Sequence, residues 1–444
     1  MKKDSLKSLA IMGMLIFVLL LSACSSKAPE TSQTPANNEK VAESTENTDS
    51  GPITIKVASW ADEAMVDVVI PAFEKKYPNI KVEPVITEIN EHHNSLLTKI
   101  AAGAEVPDVA FFEIAHIGKF SGKGGFVDLS KAPYNATQYK DKIVPYAWSQ
   151  GMTQDGRMLG IPTDIAPATI FYRKDKFDEL GVSIDDIKTM EDWIEVGKKF
   201  AKDIDGDGTN DRWLIADATN IYNMYAKSGG TRYFDAEGNS IVDSPNFVKA
   251  FEMAKKVREL GLDAGIGEWS NEWYATFQEG TALMAPSGAW LGGHIKGWIA
   301  PDTAGKWRAT NFPDGMYASW GGSFAGIPAD AKHKDAAWKY IQFVATRPDI
   351  QLAQFKAYDM FPSLTETYDS PVFDEGDEFY GGQKVRRLWA ETAAEIPNVI
   401  TNVNDMIAER ALGTALTEVL ENDKDPKVAL KEAKKIIERK TQRR

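Results

Sequence analysis

A single cysteine, Cys24, occurs in the 444 residues. One thiol excludes an internal disulfide, a cysteine-based metal centre and a thiolate nucleophile in the body of the chain. Basic charge is also short: 51 Lys and Arg face 64 Asp and Glu, a formal net charge of -13. The one basic cluster, Lys434-Lys435 to Arg443-Arg444, reads as the solvated end of a helix, so a nucleic-acid partner is excluded. There is no His-Glu-x-x-His pair, no serine nucleophile elbow and no phosphate-cradling glycine loop. The common hydrolytic and nucleotide-using chemistries therefore have no motif to rest on. His92 and His93 are adjacent and cannot share a helix face as metal ligands do, and a surface position is expected for both.

Long apolar runs are missing except at the start. Lys2, Lys3 and Lys7 precede the run Leu9 to Leu21, which is too short and wrongly flanked for an ordinary membrane span, and a cleaved targeting segment is expected. It ends in Leu21-Ser22-Ala23-Cys24, which resembles the lipobox of bacterial lipoproteins. That resemblance implies a signal peptide over 1-23, a lipid on Cys24 as the mature first residue, and anchoring on the extracytoplasmic face of a bacterial membrane. Residues 24-51 are rich in Ser, Thr, Asn, Glu, Pro and Ala without hydrophobic periodicity, the composition of a disordered tether.

The body is too long for one core and, with 43% hydrophobic residues, suits two lobes. Ile53-Thr54-Ile55-Lys56-Val57-Ala58 alternates as a strand, a helix follows to Tyr77, and Ile80 to Glu83 begins a second strand: a βαβ start. Pro107 to Phe112 reads as a buried parallel strand. Ligands in open α/β sheets bind beyond the carboxyl ends of strands, so Trp60 and Glu113, each just past a strand, should line one crevice. The stretch Asp155 to Arg173, with Gly160-Ile161-Pro162 and Thr163-Asp164, reads as a hinge out of the first unit.

Beyond the hinge, Thr189 to Asp192 reads as a capping box. Asp203, Asp205 and Asp207 with Gly208 sit at the spacing of an EF-hand-like loop, and Asp211 adds a carboxylate at its ninth position. Leu214 holds the twelfth place instead of Glu, so a structural calcium ion and a plain Asp/Gly-rich turn both stay open; no cofactor is required. Trp269 and Trp273 stand among Gly, Ser, Asn and Glu, where a loop and a contact surface are expected. Phe277 to Trp290 is expected as one strand turning at Ser287-Gly288. Trp320 to Ile327 reads as another, with Gly321 and Gly322 permitting close approach.

These features together resemble extracellular solute-binding protein family 1, the lipoprotein receptors of bacterial ABC sugar importers related to maltose-binding proteins. The matching residues are Cys24, the Phe73 to Val82 helix-strand pattern, Pro107-Asp108-Val109, and Gly160-Ile161-Pro162 to Tyr172. To them are added Phe277-x-x-Gly280-x-Ala282-x-Met284 with Gly288-x-Trp290, and Gly321-Gly322 followed by Ala337-Trp338. Arg173 departs from the Asn usual after the Tyr. The resemblance implies an α/β, two-lobed periplasmic-binding-protein-like fold of type II, with a central cleft and crossing hinge segments. Lobe 1 would hold 52-163 plus about 317-347, and lobe 2 would hold 164-316 plus about 348-444. It also implies a monomer that captures an oligosaccharide, closes, and docks on the transmembrane subunits of an ABC permease. Sugar needs aromatic platforms beside polar groups: Trp60, Trp273, Trp290 and Trp320 are the candidate platforms, with Glu113, Asp164 and Asn223 as hydrogen-bonding partners. Two rivals stay open: a surface glycoside hydrolase using Glu113 and Asp164, and the same fold binding a peptide, polyamine or anion.

Overall fold

The computed structural model describes residues 51–442 apart from 61, 62, 123 and 231. The expected signal peptide, Cys24 and the tether up to residue 50 lie outside the described residues. Eight strands carry the fold: β1 (Ile53–Ser59), β2 (Ile80–Ile86), β3 (Val109–Glu113), β4 (Ile161–Arg173), β5 (Trp213–Ile215), β6 (Ala282–Gly288), β7 (Trp307–Thr310) and β8 (Ser319–Gly326). Their order is β2-β1-β3-β8-β4-β6-β5, with β7 also on β4. The first three are parallel, as the βαβ reading requires, and β8 runs antiparallel between β3 and β4.

The stretch read as a hinge is one continuous strand. The first half of β4 pairs with β8 and its second half with β6 and β7, so a single run of backbone serves both halves of the molecule. Pro162 and Pro167 cannot donate to a ladder, and the register with β8 shifts beside each of them. These irregularities re-aim Asp164 without ending the strand.

Helices pack on both faces of the sheet and close three hydrophobic cores. One is centred on β1, β3 and the helix Lys334–Ala345, another on Phe177, Trp193 and Phe251, and a small one on Phe112 and Phe324. The capping box at Thr189 and Asp192 is formed as expected. Residues Phe277 to Trp290 are not one strand: Phe277 ends the helix Asn271–Glu279, Gly280 closes it at φ 70°, β6 follows, and Trp290 begins the helix Trp290–His294. Left-handed Gly280 is the helix stop that strand periodicity concealed. The helix Pro348–Tyr358, expected with the second lobe, packs instead on the turn Met65–Val69, and Tyr358 bonds Asp67.

Arg173 is buried beside this junction. It forms a two-point pair with Asp175 at 2.8 and 2.7 Å and donates to the Phe277 carbonyl at 3.3 Å. A Cβ at Gly280 would lie 2.0 Å from its guanidinium. The unexpected Arg is thus a packing residue that ties β4 to the helix end.

Candidate ligand-binding cleft

At the middle of the sheet, β8 brings two predicted carboxylates together. Ser323 lies opposite Glu113 on β3 and opposite Asp164 on β4, so the three residues form a row across adjacent strands. Side chains opposite one another project from the same face, which makes this row a polar floor. Thr163 donates to Asp164 at 3.3 Å and to the Ser323 carbonyl at 3.1 Å. Burial outweighs the hydrogen bonds from Ser323 and Thr163 and pushes the Asp164 carboxyl up to about 6.

Glu113 occupies the N-cap of the helix Ile114–Phe120 and accepts from the Ala115 N–H at 2.6 Å. Its carboxyl is pushed up to about 7 by burial, opposed by that N–H and by the charges of Lys227 and Arg232. Glu113 keeps partial contact with solvent although burial dominates its titration. Lys227 and Arg232 come from the end of the helix Thr219–Lys227 and the loop after it, and their charges act on Glu113 from there. Arg232 in turn lies 3.6 Å from Asp405 and 3.5 Å from Glu409.

The histidines expected on the surface are both buried, a correction with a clear cause. His93 Nδ1 donates to the Ile89 carbonyl at 2.6 Å, and its Nε2 accepts the Glu113 N–H at 3.0 Å. That pair of bonds fixes the neutral ring, and burial holds His93 down to about 3. His92 bonds the Phe111 carbonyl at 2.7 Å. Adjacent residues thus serve two different backbone partners around the end of β3. Trp60 packs over both rings at 5.7 and 4.9 Å, and His116 stacks on His93 at 3.9 Å. Trp60 and Glu113 do share one end of neighbouring strands, with Trp60 only partly exposed.

The other tryptophans form a wall. Trp290 Nε1 donates to the Trp320 carbonyl at 2.7 Å, and the ring lies on a glycine bed. A Cβ at Gly288 would stand 2.6 Å from Trp290 Nε1, and one at Gly321 would stand 3.0 Å from it. Gly321 and Gly322 have φ of 115° and 122°, so the glycine pair is required by conformation as well as by space. Trp320 has the Lys227 ammonium 5.3 Å from its ring centre, which links wall and floor. Trp273 is 3% exposed and offers no open face, a correction to its reading as a platform. The open ring is Trp269, 48% exposed and stacked on Trp290 at 5.7 Å with 18° between planes.

Asn223 contacts Asn220 at 3.3 Å, and Asn220 donates to Glu268 at 2.9 Å; burial raises the Glu268 carboxyl. Asn223 also borders a cavity of about 490 Å³ between the helix Thr219–Lys227 and the helix Asp405–Asn422. Ser323, Lys227, Arg232, Glu268 and Trp269 join the site without having been singled out as its members. Only Trp269 carried a sequence signal, as a tryptophan in a glycine- and serine-rich loop.

The aspartate loop lies elsewhere. Asp203, Asp205 and Asp211 bring carboxylate oxygens within 4.8 Å of one another. Asp207 bonds Thr209 instead, and Leu214 at the twelfth position is fully buried.

Comparison with known proteins agrees with this architecture. The chain is 24% identical over 399 residues to the arabinooligosaccharide-binding protein of Halalkalibacterium halodurans, covering 86% of this chain and 85% of that protein. A crystal structure of an extracellular solute-binding protein of family 1 superposes with a TM-score of 0.76 at 22% identity, over 87% of this chain and 99% of that one. The ABC transporter associated binding protein of B. animalis subsp. lactis Bl-04, solved with beta-1,6-galactobiose, gives 0.71 at 24% identity over 87% and 96%. The fold is the two-lobed α/β fold of these binding proteins. A family profile matches residues 69–379, and the chain belongs to the bacterial extracellular solute-binding proteins.

Proposed function

We propose that the chain is the receptor subunit of an ABC importer that captures an oligosaccharide in this cleft, closes over it, and delivers it to a membrane permease. The observation that carries the reading is the convergence of an acidic floor and a flat aromatic wall on one strand, β8. Sugar hydroxyls donate to Glu113 and Asp164, and the apolar C–H face of a ring covers an indole. The names of the similar proteins support a glycan ligand, since one binds arabino-oligosaccharides and another holds a galactobiose.

No bond is broken in this scheme, and Glu113 and Asp164 act as acceptors. A lipid on Cys24 would keep the receptor at the extracytoplasmic face, with two acyl chains for stable anchoring. A weakly bound calcium ion would brace the loop of Asp203, Asp205 and Asp211 without touching the sugar.

The test is calorimetry with tryptophan fluorescence over arabino-, galacto- and malto-oligosaccharides. Binding of micromolar order, about -8 kcal/mol, is expected for one of the series, with the sugar recovered intact. Neither heat nor a spectral change across the panel would remove the reading, and cleaved product would make the protein a hydrolase.

A further inference from the structure

The aromatic wall does not stop at the cleft. Trp290, His294 and Trp298 follow one another at i, i+4 and i+8, with ring centres 5.7 Å apart at each step. The second step crosses from the helix Trp290–His294 into a π-helical turn, Ile295–Ile299, a local device that changes the direction of the following side chain. Trp298 is 51% exposed, yet it is fixed at both ends. Its Nε1 donates to His294 Nδ1 at 3.2 Å, and its ring meets Tyr274 edge-on at 5.2 Å. Trp269 joins the strip from a separate loop, 6.0 Å from His294.

Two half-exposed indoles held rigid are costly to leave in water, where a surface without a partner favours Lys or Glu. Trp269 carries a second cost, because it holds φ at 67°, which a bulky residue rarely adopts. The strip is continuous with the proposed sugar cleft through Trp290, which both share.

We infer that Trp269, His294 and Trp298 form an outer subsite for further units of the same glycan whose inner end lies on the Glu113–Ser323–Asp164 floor, so that the ligand is a chain longer than a disaccharide. This rests on the proposed sugar-receptor function. A strip of flat faces recognises pyranose or furanose C–H surfaces and is tolerant of substituents, whereas the floor selects hydroxyl geometry. The outer units therefore supply affinity and the inner units supply identity.

The test uses the full mature protein and a length series, from disaccharide to hexasaccharide, of whichever arabino-, galacto- or malto-oligosaccharide binds. Wild type should gain about tenfold in affinity between disaccharide and tetrasaccharide. In Trp298→Ala that gain should fall to near parity, and Trp298→Phe should restore part of it, with thermal unfolding confirming that both variants fold. A gain that persists in Trp298→Ala, or a wild type indifferent to length, overturns the outer subsite while leaving the sugar cleft standing. Absence of binding by every glycan overturns the receptor reading itself, and the subsite with it.

Discussion

Glu113, Ser323 and Asp164 reach the cleft from three adjacent strands, whereas Trp269, Trp290 and Trp298 come from a loop, a helix start and a π-helical turn. The floor is located by ladder register, and a slip of one residue on β8 would turn Ser323 to the other face. Of the wall, only Trp320 stands on a ladder strand, β8, while Trp269, Trp290 and Trp298 do not. These three are positioned by packing and by single hydrogen bonds, Trp290 to the Trp320 carbonyl and Trp298 to His294. Such a division suits a receptor: the floor sets which hydroxyls are read, and the wall offers further flat faces to a longer chain.

The two regions meet at Gly321, and that junction is where the comparison can be broken most severely. A Cβ there lies 3.0 Å from Trp290 Nε1 and 3.3 Å from Ala166 Cβ, at a φ of 115° that an L-residue rarely adopts. Gly321→Ala should therefore cost about 3 kcal/mol of stability by denaturant unfolding and abolish measurable sugar binding. A loss of binding with unfolding unchanged would show that the wall shifts independently of the floor.

The next largest effect belongs to the floor alone. The Glu113 carboxyl titrates at about 7 in the fold against an ordinary value of 4.5, so the folded protein binds the proton more tightly. Stability is then greatest below the ordinary value and declines as pH rises through 7, where the buried carboxylate is charged. Glu113→Gln removes that decline. It should be more stable than wild type at pH 8 by on the order of 2 kcal/mol, discounted for partial solvent contact, while the two agree near pH 4. Parallel stability profiles would mean that Glu113 is better solvated than its position suggests.

The same contrast explains what was readable in the sequence. Strand ends at Ser59 and Glu113, the stop at Gly103 and the glycine pair in β8 follow from local chemistry, and the structure sets Glu113 and Asp164 opposite the same residue of β8. Ser323 was hidden because nothing in a strand's own pattern says which residue will face it on a partner 210 positions away. His93 is read as a surface residue from sequence because its Nε2 partner, the Glu113 N–H, lies on another element 20 positions along the chain. Trp273 and Trp269 have similar sequence surroundings. Only the helix beginning at Asn271 decides that Trp273 is turned into the core and Trp269 is left outside.

A smaller effect tests how the two sides are held together. Lys296, on the turn that carries Trp298, lies 2.7 Å from Asp359 and 3.2 Å from Asp377. Asp359 closes the helix Pro348–Tyr358, which packs on the β1 side of the molecule. The pair therefore bridges wall and floor side outside the sugar contacts. Lys296→Met should weaken binding by about fivefold, roughly 1 kcal/mol, for short and long glycans alike. Arg386, 3.7 Å from Asp359, limits the damage. A loss confined to the longer glycans would place Lys296 in the outer subsite instead.

The smallest effect is expected at the aspartate loop, which belongs to neither region. If the proposed calcium ion binds these three converging carboxylates, which lack a bidentate partner, a millimolar Kd is expected. Calcium at a few times its Kd would add about 0.8 kcal/mol, a rise of about 1 °C in Tm. Sugar affinity should not change, because β5 and β6, which lie between the loop and the cleft, are fixed by their own ladders. Calcium that altered sugar affinity in wild type, and not in Asp203→Asn, would show that β5 carries strain from the loop to Trp290. The wall would then be tunable by an ion and the floor would not, which is the sharpest form the difference between them could take.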